Sequence, residues 1–371
     1  MIQNLFILGA TGKVGSTLVR QIFEKGDTDS NIHANPTRII GLASSEEYVF
    51  VPEGISRQQA CDFIERRSGI TQKYDNLNQL LKIANNGSGY DGNMLAFVDV
   101  TAVNKPMAKF HLDVIRKTPY SIVTANKNPI ALSDYGTFIE LTKKLDRYGY
   151  RCSVMAGAEA VSFLRDLKDV NDQPKFIQGC FSGTLGYIAS ELEKGKKFSE
   201  IILEAREKGY TEPDPRDDLN GLDVARKLIV LARTAGFSAG LKDINVSPFI
   251  PKGYFKDESM EEFLASTKVL DSEFEKRFSE AKKRGMTLRY VAQMNIVHGI
   301  PSLDVSLKEV PKESPLGSLK GTLNKIVVVS STYPENSPYS VEAPGAGLEV
   351  TAQNIRRDLL YLIKEREIRI K

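Results

Sequence analysis

Five acids crowd residues 209–227, which read GYTEPDPRDDLNGLDVARK: Glu212, Asp214, Asp217, Asp218 and Asp223. The stretch ends in Lys227. Pro213 and Pro215 stop a helix from starting among the acids. Asp217 or Asp218 can then cap a helix carrying Leu222, Val224, Ala225, Leu228, Ile229, Leu231 and Ala232. On that helix Asp223 and Lys227 are four residues apart and share a face. Two readings use the same residues. One is a surface ion pair beside an acidic cap. The other is a lysine proton donor held by one carboxylate, with neighbouring carboxylates left to bind an ammonium group. A lysine inside an apolar run, behind a proline-fixed acidic loop, argues against the first, and both readings stay open on this stretch alone.

A second set of candidates lies near the N-terminus. The apolar run 5–8 leads into Gly9-Ala10-Thr11-Gly12-Lys13-Val14-Gly15, and a helical pattern with Leu18, Val19, Ile22 and Phe23 follows. Strand, glycine turn and helix in that order suit a dinucleotide, whose pyrophosphate rests on the helix N-terminus. The spacing is GxxGxxG, and a tight turn without ligand would also use it. A second strand, 38–43, ends in Ser44 and Ser45, where an NAD site would place an acid for the ribose hydroxyl. Without that charge a 2′-phosphate is not repelled, so NADP, or use of both NADP and NAD, is expected. Lys13 can meet such a phosphate or stand as an exposed loop lysine.

The next strands end in the same crevice. Strand 95–100 ends in Thr101, followed by Ala102, and strand 121–124 leads to Ala125-Asn126-Lys127. Side chains at the carboxyl ends of parallel strands face the ligand. Lys127 reads either as a crevice lysine or as a solvated one. Further on, Ser182-Gly183-Thr184 can offer hydroxyls and N–H groups to a substrate carboxylate, or can be a structural turn. Gly345 and Gly347 let the backbone approach a ligand ahead of a last helix.

The elements that carry these residues imply more than one domain, since 371 residues exceed a typical single domain. Residues 46–90 read as an excursion with helices at 56–67 and 77–84. A helix at 138–148 closes the first half, and 153–160 reads as a strand and turn around Gly157. A charged, exposed helix at 274–283 precedes strands at 287–296, 302–308 and 325–329. Strands in series suggest an open sheet with helices on one face, which offers an edge or face for a dimer.

Composition narrows the function. With 41% hydrophobic and 26% charged residues the chain is an ordinary globular one, and a net charge of +3 spread along it is no nucleic-acid footprint. Cys61, Cys152 and Cys180 are far apart and have no histidine cluster, which disfavours disulfides and zinc and suits a reducing cytoplasm. His33, His111 and His298 are isolated, so a histidine-based triad is not expected. No basic leader or membrane-spanning apolar run is found, and a cytoplasmic protein is expected.

Together these motifs resemble homoserine dehydrogenase. The resemblance rests on Val123-Thr-Ala-Asn-Lys127, Gly183-Thr-Leu, the 209–227 stretch and Pro344-Gly-Ala-Gly-Leu-Glu-Val-Thr-Ala, and it runs in order from residue 5 to about 365. It is to the short, monofunctional form. The family implies NAD(P)-dependent interconversion of L-homoserine and L-aspartate 4-semialdehyde. It implies an α/β chain: a Rossmann-type, doubly wound parallel sheet in a nucleotide-binding domain at 1–150, completed by 335–371. An α+β catalytic and dimerisation domain with an open mixed sheet is implied at 151–334, and with it a homodimer.

By motif match, the resemblance makes Lys227 the acid/base that protonates the carbonyl oxygen during reduction. Asp223 and Glu212 hold the substrate, Glu212 near its ammonium group, with Tyr210, Asp218, Gly183 and Thr184 around it. Lys127 falls at the junction of nicotinamide and substrate, and Thr101, Ala102 and Gly347 among the cofactor contacts. One segment departs. The family commonly binds a monovalent cation with a Glu and backbone carbonyls, and here Arg151 stands for the Glu, Met155 for a glycine and Glu159 for a proline. An arginine cannot ligate sodium, which leaves the carbonyls near Val154 and Ala156. The altered segment also admits a related dehydrogenase of another small amino-acid aldehyde. A non-catalytic NADP-binding regulator is the remaining alternative, and it would have no need of Lys227.

Overall fold

A computed structural model describes residues 1–67, 69, 71–144, 146–256 and 259–370, with side chains as far as 363. Its contacts divide the chain into two units, Met1–Gly157 with Gly347–Lys371, and Ala158–Ala346. The divisions fall after 157 and 346, against expected ones after 150 and 334.

In the first unit the strands are β1 (Gln3–Leu8), β2 (Thr37–Ala43), β3 (Glu47–Phe50), β4 (Gln72–Lys73), β5 (Leu95–Asp99), β6 (Ser121–Thr124) and β7 (Tyr148–Gly149). They form one sheet in the order β4-β3-β2-β1-β5-β6-β7. From β2 to β7 through β1 every pairing is parallel, while β3 and β4 add antiparallel at one edge. β1 and β5 are buried at every position, as strands covered on both faces must be. The chain leaves β1 for β2 on one side and returns to β5 on the other. That reversal opens a crevice beyond the carboxyl ends of β1 and β5.

The helices of this unit are α1 (Lys13–Glu24), α2 (Arg57–Ile64), α3 (Leu77–Asn86), α4 (Lys105–Lys117), α5 (Asn128–Ala131) and α6 (Tyr135–Thr142). The C-terminal helix, Leu348–Ile370, packs on α1 and joins the same core through Ala352, Ile355, Leu359 and Leu362. Its start is tied by Glu349 to Arg20 and Gln21, and its middle by Arg356 to Asp27.

Several expectations need correction here. The excursion contains strands β3 and β4 as well as helices; Tyr48 and Val49 are buried against β2. The helix expected over 138–148 ends at Thr142, and its last expected residue, Tyr148, pairs with Ile122 of β6 instead. Leu145, inside that expectation, lies outside the described residues. The strand expected at 153–160 is two short 3-10 turns, Arg151–Ser153 and Met155–Gly157. Left-handed backbone at Met155, Ala156 and Gly157 (φ 51°, 49° and 93°) cannot continue a strand.

In the second unit, β8 (Phe176–Cys180), β9 (Ile244–Val246), β10 (Met286–Val297), β11 (Ile300–Pro311), β12 (Leu323–Val329) and β13 (Tyr339–Pro344) form an open mixed sheet ordered β13-β12-β8-β10-β11-β9. Only β9 and β11 pair in parallel. Its helices are α7 (Ala160–Asp169), α8 (Gly183–Glu193), α9 (Phe198–Glu207), α10 (Pro215–Leu219), α11 (Leu222–Thr234), α12 (Met260–Ser266) and α13 (Asp271–Lys283). The helix expected to be exposed, α13, buries Phe274, Phe278 and Ala281 and packs on β10. Among the described residues no helix is long and apolar enough to cross a membrane.

Candidate active site

The crevice of the first unit is built on glycines. Gly9 follows β1 with φ 83°, and a side chain there would press on Thr101. A Cβ on Gly15 would lie 2.2 Å from the Gly9 carbonyl, so α1 can seat against the turn only with glycine. Gly12 is the N-cap of α1 and supplies no side-chain acceptor to its first turn. The leading N–H groups of such a helix have no intrahelical partner and, with the helix dipole, favour an anion. Residues 9–15 therefore fit a dinucleotide pyrophosphate, with Ala10 buried beneath and Lys13 exposed at the helix start.

Thr101 closes the other side, and its hydroxyl is engaged by protein partners. The hydroxyl donates to Asp99 Oδ1 at 2.7 Å, and the Thr101 N–H donates to the same oxygen at 2.9 Å. Asn126 donates to Thr101 Oγ1 and, at 2.8 Å, to the Val103 carbonyl. Asn128 reaches the carbonyl of Ala102. Lys127 sits between these two asparagines as the N-cap residue of α5, half-buried. At the end of β2 the Ser44 hydroxyl accepts from the N–H groups of Glu46 and Glu47 and so closes the turn into β3. That bonding accounts for Ser44 as a turn residue; it adds nothing for a 2′-phosphate. Gly347, φ 145°, opens the C-terminal helix from an exposed position. Gly345 belongs to the second unit, where a Cβ would overlap the Asn324 side chain, so packing alone demands glycine there.

The second unit gathers the acidic stretch. Asp214, which had no assigned role, is the N-cap of α10: it accepts from the Arg216 N–H and is gripped by the Arg216 guanidinium, which holds its carboxyl below the usual range. Asp217 and Asp218 lie within α10 and do not cap the next helix. That cap is Gly221, φ 76°, where any side chain would strike the Tyr290 hydroxyl. Asp218 instead turns back on its own loop. Its Oδ2 accepts from the Glu212 N–H at 2.8 Å, and its Oδ1 lies 3.0 Å from Thr184 Oγ1. Thr184 also donates to the Tyr210 carbonyl at 2.6 Å, and the Tyr210 ring meets Tyr187 edge-on. Gly183 begins α8 behind Ser182, the cap of that helix.

Burial pushes the Asp218 carboxyl up to about 6; the charges of Glu212 and Asp223 act in the same direction, and its hydrogen bonds oppose them. Three carboxylates thus share one neighbourhood of negative potential, suited to an ammonium group. Beside them Lys227 Nζ lies 2.9 Å from Asp223 Oδ2 and donates to the Phe181 carbonyl at 2.6 Å. Phe181, invisible to motif reading, fixes the lysine through its backbone. The Lys227 side chain is 14% exposed, against 39% for Asp223, so the ammonium is drawn inward along α11.

The 151–157 segment does not fit a monovalent cation. Arg151 is buried, with Nε 3.0 Å from Asp358 Oδ1 and its guanidinium over the Tyr361 ring. The Val154 carbonyl accepts from the Gly157 N–H and the Ala156 carbonyl from Asn354 Nδ2. The Gly157 carbonyl takes a guanidinium N–H of Arg357 at 2.6 Å. The Ala156 and Gly157 carbonyls are thus already taken by an amide and a guanidinium donor, and Arg151, paired with Asp358, offers no ligand. Among the described residues no group of three His, Cys, Asp or Glu side chains could hold a metal either. Burial raises the Cys152 thiol far above its ordinary value and Cys180 to about 12, which leaves both inert.

The first unit thus carries a glycine turn at the switch point of a parallel sheet, and the second unit a lysine–carboxylate cluster. A homoserine dehydrogenase family profile matches residues 161–360. The chain is 34% identical over 250 residues to the homoserine dehydrogenase of Saccharomyces cerevisiae, an overlap of 65% of this chain and 68% of the yeast protein. It is 33% identical over 354 residues to bifunctional aspartokinase/homoserine dehydrogenase 1 of Arabidopsis thaliana, covering 95% of this chain but 38% of that longer protein. Its fold matches a Candida auris protein of unknown function, with TM-score 0.83, 30% identity and 98% of both chains covered. A hyperthermophilic archaeal homoserine dehydrogenase in complex with NADPH shares the fold, with TM-score 0.73 at 20% identity and 98% of both chains covered. The chain belongs to the homoserine dehydrogenase family.

Proposed function

We propose that the chain catalyses the reversible NAD(P)-dependent interconversion of L-homoserine and L-aspartate 4-semialdehyde. The observation that carries this is the Lys227 ammonium, held between Asp223 and the Phe181 carbonyl beside the Glu212–Asp218 pair. The family supports the substrate; the fold's NADPH-bound neighbour supports the cofactor. When bound, the nicotinamide nucleotide supplies or takes the hydride. The protein's part is to bind, orient and move a proton. Residues 9–15 take the pyrophosphate, and Thr101, Ala102, Lys127 and Gly347 flank the cofactor. Glu212, Asp218 and Asp223 receive the substrate ammonium, with Tyr210, Gly183 and Thr184 shaping that pocket.

Hydride addition to the aldehyde leaves an alkoxide, and Lys227 neutralises it by giving up a proton. In oxidation the proton moves the other way, from the homoserine hydroxyl to the Lys227 amine. A homodimer in a reducing cytoplasm completes the reading; the open second sheet and three free thiols support it. The test is reduction of NADP or NAD by L-homoserine, with Lys227→Ala as control. No reduction by the wild type sinks the proposal, and equal rates in both sink the role of Lys227.

A further inference from the structure

Beneath the crevice of the first unit runs a buried polar chain that no step above uses. Asp99, at the end of β5, His111 of α4 and Tyr148 of β7 are each fully buried. Tyr148 Oη lies 2.8 Å from His111 Nδ1, and His111 Nε2 lies 3.2 Å from Asp99 Oδ2. Asp99 Oδ1 then receives both the N–H and the hydroxyl of Thr101. Thr101 Oγ1 receives the Asn126 amide, and the Asn126 Oδ1 receives the N–H of Asn128. The chain therefore ends on both lips of the crevice, at 101–103 and at 126–128.

We infer that Asp99 and His111 are positioning residues for the nicotinamide nucleotide: the Tyr148–His111–Asp99 chain sets where Thr101 and the Asn126–Lys127 backbone meet it. Three observations support this. Buried polar groups cost free energy unless their partners are all in place, so a network of this kind admits few geometries. Thr101 touches the space over Gly9, so a shift of Thr101 is a shift of the cofactor's bed. The direction of the hydrogen bonds is also set. Burial and the Asp99 charge keep Tyr148 a phenol, so its O–H donates to Nδ1. The His111 proton then resides on Nε2, which lies 3.2 Å from Asp99 Oδ2 without an aligned hydrogen bond, and Asp99 Oδ1 remains the acceptor for Thr101. A leucine at 111 would preserve the volume and break the chain, whereas a glutamine can still donate to Asp99 and accept from Tyr148.

This inference rests on the cofactor assignment above, and the experiment separates the two. NADPH is titrated by its fluorescence into wild type, His111→Leu, His111→Gln and Asp99→Ala, alongside circular dichroism, thermal midpoints and the KM for L-homoserine. For folded His111→Leu, NADPH affinity is expected to fall by roughly tenfold or more, as for a displaced binding surface. The KM for homoserine should stay unchanged, and His111→Gln should recover most of the affinity. Asp99→Ala, if it folds, should lose at least as much affinity as His111→Leu. NADPH affinity in folded His111→Leu equal to wild type overturns the inference alone, and so does loss of midpoint without any selective loss of NADPH. Wild-type protein that binds neither NADPH nor NADH overturns the cofactor assignment and this inference with it.

Discussion

Two ion pairs in this chain place a basic side chain against an aspartate, to opposite ends. Arg151 and Asp358 are 5% and 3% exposed, and the guanidinium is also stacked on Tyr361. Every charge there is answered, and the result is a fixed turn. Lys227 and Asp223 are 14% and 39% exposed, and two further carboxylates, Glu212 and Asp218, stand near them. Here negative charge is in excess and a compact ammonium is held by one carboxylate and one carbonyl. The planar guanidinium cannot give up its proton, whereas an ammonium can. The difference separates a pair that builds the fold from a pair poised to act.

Removing the lysine should give the largest effect. Lys227→Ala is expected to lower kcat for homoserine oxidation by about 10²–10⁴-fold, the usual worth of a positioned acid/base. Lys227→Arg keeps the charge but not the donor, and should be nearly as slow. Recovery of most activity in Lys227→Arg would show that charge, not proton transfer, is what the site supplies.

The stability of the two pairs should rank the other way. Arg151→Met strands the buried Asp358 carboxylate and should cost about 3–5 kcal/mol in urea unfolding. Lys227→Met breaks a pair whose acid is well exposed and should cost about 1 kcal/mol or less. Equal losses would erase the distinction between the two sites.

Asp218 offers a finer measurement. Burial raises its carboxyl from the ordinary 3.8 to about 6 in the folded protein. The folded state thus holds that proton more tightly than the unfolded chain does. Its contribution to stability is full below the ordinary value and is lost as pH rises through about 6. Wild-type stability should therefore fall relative to Asp218→Asn between those limits. In function the sign reverses, because the ammonium needs the ionised form: KM for homoserine should rise as pH drops through that range. Asp218→Asn should show no such step.

How much of this was legible in sequence varies with what each feature depends on. The crevice was readable because a run of apolar residues, glycines at fixed spacing and a helix start are all local. The strands β3 and β4 were missed: each is short, and their pairing with β2 is decided by tertiary contact. The i,i+4 geometry of Asp223 and Lys227 follows from helical spacing alone, but the Phe181 carbonyl is far away in sequence and could not be found. Capping was misassigned because Asp214, Asp217 and Asp218 are equally good caps by type. Only the fold shows that Pro215 starts α10 after Asp214 and that Gly221, against the Tyr290 hydroxyl, caps α11. The sequence showed Arg151 to be out of pattern; its partner, Asp358, lies 207 residues further on and only the folded chain reveals it.

The smallest expected effect tests the neutralised pair most directly. A carbonyl can bind sodium or potassium only if its lone pairs are free to converge on the ion. Here the Ala156 and Gly157 carbonyls already receive an amide and a guanidinium N–H. A cation entering would also have to displace the Arg357 guanidinium that bonds the Gly157 carbonyl, which disfavours it on electrostatic grounds. Homoserine oxidation should accordingly run at the same rate in sodium, potassium and choline chloride of equal ionic strength, and the thermal midpoint should not distinguish the salts. The matched ionic strength matters, since screening alone would alter the attraction of the acidic loop for the substrate. A rate or midpoint that rises with sodium or potassium but not with choline would show that the turn opens to admit the ion, and Arg151 would then not be its replacement.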